Sequence, residues 1–208
     1  MSGILFIISS PSGGGKGTLI REVLHNVPNI GYSISFTTRS MRAGEIHGQH
    51  YFFVSPEEFE NLIEDGEFLE YAVVHGNFYG TSKTQVANET SQGRDIILEL
   101  DVQGARSVRQ IMPEAVSIFI LPPSYQVLRD RLVLRQTESE NDLILRLQNA
   151  RDEVRDYKNF DYVIINDEMT KATLDLQSVI LAERLKRARQ ETVVENILKT
   201  FKIENFLS

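Results

Sequence analysis

ILFIISSPSGGGKGT, residues Ile4 to Thr18, is followed by LIREVL and decides the fold. The run ILFII is apolar throughout, which in a short segment bounded by turn-formers predicts a central parallel strand covered on both faces. Three consecutive glycines and a lysine then precede a helical pattern from about Thr18 to Leu24. Glycines let main-chain N–H groups converge on an anion, the lysine adds a point charge, and the helix start presents its positive end. Strand, glycine-rich loop and helix together predict a phosphate cradle, with Lys16 reaching the terminal phosphates of a nucleoside triphosphate. The loop departs twice from the pattern G-x-x-x-x-G-K-[ST], with Ser10 where glycine and Gly17 where a hydroxyl residue is usual. Ser10 costs little if ordinary backbone angles reach that position. Gly17 removes the hydroxyl that faces Mg²⁺, and Thr18 is the nearest substitute.

Further short apolar runs occur at Asp95–Leu100, Ala115–Leu121 and Tyr162–Ile165, with helical patterns between and after them. That alternation predicts an α/β fold with a parallel sheet. Two stretches break the rhythm. From Ile30 to Thr84 short alternating segments (YSISFTT, HYFFVS, FLEYAVV) mix with turn-rich ones, predicting a small mixed sheet inserted after the first helix. From Tyr125 to Tyr157 the chain is charged and helical, with arginines at 129, 131, 135, 146, 151 and 155. The tail from Glu191 to Ser208 carries Val194, Ile197, Leu198, Phe201 and Phe206 at amphipathic spacing. Such a helix covers the protein's own core or contacts a partner subunit, so a homo-oligomer stays open.

The totals narrow the function classes. A chain of 208 residues suits one domain with inserts, and its net charge of −7 argues against a broadly basic nucleic-acid-binding face. A small anionic ligand needs only a local cluster of cations. The absence of cysteine excludes disulfides and thiolate chemistry and fits a reducing compartment. No apolar run approaches the roughly 18 residues of a membrane span. The start MSGILF has neither a basic region nor a cleavage site, so the expected location is the cytoplasm, with no membrane partner.

A second candidate site lies in the inserted stretch. Arg39 and Arg42 of TTRSMR, with Tyr51, offer two guanidinium forks and a phenol, a set suited to a terminal phosphate monoester. FLEYAVVHGNFYGTS adds Glu70, Tyr79 and Thr81. A half-buried ionised glutamate accepts two adjacent hydrogen bonds, which matches the N1–H and N2–H₂ edge of guanine, whereas adenine presents an acceptor at N1. ILELDVQGA ends a strand on Glu99 and Asp101, whose alternation puts both carboxylates on one side at the carboxyl end. One suits orienting Mg²⁺ through water and the other a base or ribose; the alternative is that they cap the next helix.

SPSGGGKGT, SFTTRSMRAGE, GQHYFFVS, FLEYAVVHGNFYGTS, ILELDVQGA and TESE, in that order, resemble the guanylate kinase family from Ile4 to about Leu185. The resemblance implies a P-loop nucleoside monophosphate kinase fold, a five-stranded parallel α/β core with two attachments. The core would span about 1–32, 85–125 and 157–190, the GMP-binding insert about 33–84, the helical lid about 126–156 and a C-terminal helix about 191–208. It implies phosphoryl transfer from MgATP to GMP, with ATP and GMP as small-molecule partners. By position, Ser10, Pro11, Ser12, Gly13, Gly14, Gly15, Lys16, Gly17, Thr18 and Asn166 fall where the family binds ATP, and Thr18 would meet the Mg²⁺. Arg39, Arg42, Tyr51 and Tyr79 match contacts to the GMP phosphate, and Ser35, Glu70, Thr81 and Asp101 match positions around the base. Glu99 joins the GMP-binding set. Lys16, Arg131, Arg135 and Arg146 fall where the family neutralises the transferring group. Val133, Leu134 and Gln136 stand where many members carry further Arg or Gly.

Three other readings keep the loop: a relative acting on a phosphorylated sugar such as ribose 1,5-bisphosphate, a catalytically dead module binding phosphopeptides, and a generic P-loop protein. The first has no use for Glu70 as a guanine reader. A triphosphate cradle has no use in the second.

Overall fold

The structure is a computed structural model that describes residues 2–74, 76–134 and 140–201, with the backbone alone for 140–142. Along the chain run β1 (Leu5–Ser9), α1 (Lys16–Asn26), β2 (Ile30–Tyr32), β3 (Phe36–Thr37), β4 (Phe52–Phe53), α2 (Pro56–Glu64), β5 (Phe68–Val74) and β6 (Asn77–Ser82). They are followed by α3 (Lys83–Ser91), β7 (Asp95–Glu99), α4 (Val102–Ile111), β8 (Val116–Leu121), α5 (Tyr125–Leu134), α6 (Glu140–Glu153), β9 (Tyr162–Ile165), α7 (Met169–Arg184) and α8 (Arg187–Thr200).

β1 is central because it pairs in parallel with β7 on one side and β8 on the other. All five of its residues are buried. Successive side chains leave a strand on opposite faces, so Phe6 and Ile8 pack with α1 and α7 residues such as Leu19, Val23, Leu176 and Ile180, while Leu5 and Ile7 pack with Val86 of α3 and Ala105 and Val108 of α4. The unbroken apolar run is thus the signature of a strand covered twice. The full order β2-β7-β1-β8-β9 is parallel throughout.

Ile30 to Tyr32, which the alternating pattern assigns to the insert and the family resemblance to the core, is β2, the edge strand of the core sheet, in parallel register with Asp95, Ile96 and Ile97. Three residues with a central glycine are too short to show a periodicity. The second sheet, β4-β3-β6-β5, comes from the inserted stretch and is mixed, with β3–β4 parallel and β3–β6 and β5–β6 antiparallel. Phe59 of α2 holds it by stacking between Phe68 and Phe78, at 4.5 and 5.2 Å between ring centroids. α5 and α6 carry a small core of their own, Leu128, Leu132 and Ala150 with Leu143 and Leu147.

α7 ends at Arg184, and α8 starts at Arg187 rather than Glu191. Its apolar stripe does not cover the protein's own core: Val194, Ile197, Leu198 and Phe201 are all exposed. Phe206 lies outside the described residues.

Candidate active site

The loop after β1 owes its shape to two glycines in left-handed conformation, Gly13 at φ 86° and Gly15 at φ 89°. Gly15 also has no room for a side chain, since a Cβ there would stand 2.4 Å from Asn166 Nδ2. Ser10 takes ordinary angles, is buried, and its hydroxyl donates to the Pro11 carbonyl at 3.0 Å, so the first departure from the pattern is harmless. Gly15 at the N-cap offers no side-chain cap to α1, and its first turn has no acidic residue. Its first N–H groups are therefore left to an outside anion. Asn166, in the loop after β9, props the cradle by donating from Nδ2 to the Gly14 carbonyl at 2.9 Å, and Arg131 Nη2 donates to the Asn166 carbonyl at 2.9 Å. The other Arg131 terminus, Nη1, is buried without a hydrogen-bond partner and 3.8 Å from where a Gly15 Cβ would be.

Two hollows meet at this loop. A cleft of about 420 Å³ is lined by Ser10, Ser12 to Thr18, Arg21, Ser35, Tyr51, Glu70, Ala72, Val74, Tyr79, Gly80, Glu99, Leu100, Asp101 and Arg146. On the far side of the loop a hollow of about 310 Å³ is lined by Gly13, Gly15, Thr18, Leu19, Arg131, Leu134, Asn166, Asp167 and Met169. Both lie at the carboxyl ends of the core strands, where parallel α/β sheets keep their ligands.

The insert contributes the opposite wall. Arg39 is held by Glu45, Nη2 to Oε1 at 2.7 Å, and its guanidinium lies 5.4 Å from the Tyr51 ring centre. The bond to Glu45 raises the Arg39 pKa and lowers that of Glu45. Tyr51 meets Tyr79 edge to face at 5.9 Å, and burial with nearby Glu99 pushes the Tyr51 phenol up to about 12. Arg42 is exposed, and neither it nor Arg39 is part of the cleft wall; its backbone N–H donates to Glu45 Oε2 at 2.7 Å. Glu45, the last residue of SFTTRSMRAGE, thus holds the Arg39 guanidinium and the Arg42 backbone, a role not assigned to it from the sequence.

Glu70 is buried at 8% exposure and accepts from the Thr81 hydroxyl at 2.6 Å. Burial, partly offset by Thr81 and reinforced by Asp101, pushes its carboxyl up to about 7. Thr81 serves Glu70 and is not in the cleft wall. Asp101 lines the cleft and also caps α4, accepting from the Gly104 N–H at 2.8 Å, so the capping alternative holds for one of its oxygens. Glu99 lines the cleft 3.8 Å from Lys16 Nζ.

Three further groups at the site are marked by no motif in the sequence. Arg21 lines the cleft, the Tyr32 hydroxyl donates to Glu99 at 3.1 Å, and Glu153 Oε2 accepts at 3.0 Å from the N–H of the loop residue Ser12, 141 residues away. Arg21 sits on the helix that follows the glycine loop, which is the signal that could have found it; the other two depend on contacts no local pattern encodes. Arg146 lines the cleft from α6, while Arg135 and Gln136 lie outside the described residues.

Known proteins share this sequence over nearly its whole length. The family model described as guanylate kinase matches residues 2–183. A guanylate kinase of Carboxydothermus hydrogenoformans is 46% identical over 187 residues, covering 90% of this chain and 92% of that protein. One from Acinetobacter baylyi is 48% identical over 190 residues, covering 91% and 92%. Among solved structures, guanylate kinase from Anaplasma phagocytophilum superposes with a TM-score of 0.79 at 34% identity, covering 98% of this chain and 97% of that one.

Proposed function

The chain belongs to the guanylate kinase family, and from that premise we propose how its cleft divides the work of moving the terminal phosphoryl group of ATP to GMP. The glycine loop, Lys16 and the amides opening α1 hold the ATP phosphates, and the hollow beside Asn166 and Met169 takes its nucleoside. The insert holds GMP: Arg39, Arg42, Tyr51 and Tyr79 its phosphate, and Glu70, with Ser35, Thr81 and Asp101, its base. One observation carries this reading, that a single cleft runs from the glycine loop and Lys16 to Glu70. Transfer between two nucleotides needs both in one cavity with their phosphates in line.

An oxygen of the GMP phosphate is the nucleophile and is anionic at neutral pH, so no general base is required. The protein aligns two polyanions and neutralises the transferring group, through Lys16 and the lid cations Arg131, Arg135 and Arg146. Closure of α5 and α6 over the cleft excludes water, which would otherwise accept the phosphoryl group.

Magnesium fits the residues present. Among the described residues no group of three or more His, Asp or Glu could hold a metal ion. Magnesium is commonly held by one or two protein oxygens plus substrate phosphates and water, and Thr18 and Glu99 beside the loop suit that mode. When bound it would supply positive charge that offsets the negative charge developing on the phosphates. Thr18 offers the hydroxyl absent at Gly17.

No helix among the described residues is long and apolar enough to cross a membrane. The cysteine-free composition and small-molecule substrates support a cytoplasmic location. The exposure of the C-terminal stripe supports the reading in which it contacts another subunit. A coupled assay offering MgATP with GMP, AMP, UMP and ribose 1,5-bisphosphate tests the function. Turnover with GMP at a rate well above the others is expected, and preference for any other acceptor contradicts it.

A further inference from the structure

Glu99 sits between the two nucleotide sites, yet neither substrate explains how its side chain is held. Its carboxylate oxygens stand 3.6 and 3.7 Å from where a Cβ of residue 17 would be, so the carboxylate flanks the position at which this chain lacks the usual hydroxyl. Lys16 Nζ, at 3.8 Å from Oε1, is too far to fix it by a hydrogen bond. Tyr32 does fix it. The Tyr32 hydroxyl donates to Glu99 Oε2 at 3.1 Å.

The sheet register sets up that contact. Tyr32 of β2 lies opposite Ile97 of β7, and Glu99 is two residues further along β7, on the same face as Ile97. The Tyr32 ring packs against the core cluster of Phe6 and Ile8, so its hydroxyl starts from a rigid base. A glutamate without such a partner would lose rotamer freedom to take up one orientation.

We propose that Tyr32 is a positioning residue: by occupying Oε2 it turns Glu99 Oε1 toward Lys16 and the space beside Gly17, where the carboxylate, alongside the Thr18 hydroxyl, helps hold the magnesium–nucleotide complex. The proposal rests on the phosphoryl-transfer reading above. It assigns Tyr32, on the core edge strand, to the metal-nucleotide end of the cleft and leaves GMP recognition to the insert.

The test uses Mn²⁺ as a spectroscopic stand-in for magnesium, titrated into the whole enzyme with ADP and followed by electron paramagnetic resonance. Tyr32→Phe keeps the ring and removes only the hydroxyl. It should weaken Mn²⁺ binding to the ADP complex by about tenfold, the order expected for a hydrogen bond to a charged group, and leave the GMP dissociation constant within about twofold. Glu99→Gln should weaken Mn²⁺ binding at least as much. The double variant should be no weaker than Glu99→Gln alone, because the hydroxyl acts only through that carboxylate. Unchanged Mn²⁺ binding in Tyr32→Phe, or additive losses in the double variant, overturns the proposal. Failure of the wild type to phosphorylate GMP would instead overturn the reading beneath it.

Discussion

In the reading proposed above, the groups that meet an anion at one end of the cleft are main-chain amides, shaped by Gly13 and Gly15 and carried on the central strand and α1. At the other end they are side chains already bonded to one another, Arg39 to Glu45 and Glu70 to Thr81. The first arrangement binds any phosphate and discriminates little; the second is shaped before its ligand arrives and can reject what leaves its polar groups unpaired. Power and selectivity are thus lodged in different parts of the chain. Substitutions at the two ends should fail in different ways.

The largest effect is expected at the loop. Lys16→Ala removes the cation proposed to meet the transferring group and should lower kcat at least a hundredfold, about two steps of 1.36 kcal/mol, with a circular dichroism spectrum like the wild type's. Near-normal turnover would remove Lys16 from the chemistry. Arg39→Ala comes next, with kcat/KM for GMP down by about ten- to a hundredfold, the range for a lost hydrogen bond to a charged group. Steady-state kinetics showing no change would mean that Glu45, and not a substrate phosphate, is all that Arg39 serves.

Smaller effects follow from the buried carboxylate. Burial disfavours the Glu70 charge and pushes its carboxyl up to about 7, and in the proposed reading only the ionised form accepts both guanine N–H groups. GMP affinity should therefore fall about tenfold from pH 8 to pH 6 through this group. The phosphate of GMP titrates near pH 6 as well, so the diagnostic is the difference from Glu70→Gln, which retains only the phosphate contribution. The same shift has a stability consequence of opposite sense. A carboxyl with a raised folded pKa binds more protons folded than unfolded, so its contribution to stability is lost as pH rises from about 4.5 through about 7. Thermal melts should show Glu70→Gln more stable than the wild type at pH 8, with the gap closing toward pH 4. An equal gap at both pH values would show that its carboxyl is not perturbed. The smallest effect is expected at Thr18→Val: an about threefold higher Mg²⁺ requirement, on the scale of one neutral hydrogen bond, and an unchanged KM for GMP.

The two ends also differ in how far the sequence reveals them. The glycine loop is contiguous, and its strand and helix announce themselves by an unbroken apolar run and a helical period, so local pattern alone is enough to locate it. Glu99 and Asp101 follow from alternation at a strand end. The insert is harder: Glu45 reaches Arg39 across a turn, and nothing in the pattern shows that its side chain bonds the Arg39 guanidinium and only the backbone of Arg42. β2 is hidden because three residues carry no period, and with it goes Tyr32, whose partner lies 67 residues away and is fixed only by sheet register. Family likeness puts Asn166 near the ATP nucleoside; that it also props the Gly14 carbonyl depends on a contact spanning 152 residues. Side chains that bind through other side chains leave no local trace.

The central claim is that the insert, through Glu70, chooses guanine while Arg39 only holds phosphate. Its most direct test is the ratio of kcat/KM for GMP to that for inosine monophosphate, which keeps N1–H and the carbonyl but lacks the 2-amino group. The wild type should favour GMP strongly. In Glu70→Gln, where a donor replaces one acceptor, GMP turnover should fall and the ratio should shrink toward one. In Arg39→Ala both substrates should suffer alike and the ratio should hold. A ratio that survives in Glu70→Gln and collapses in Arg39→Ala would contradict the account.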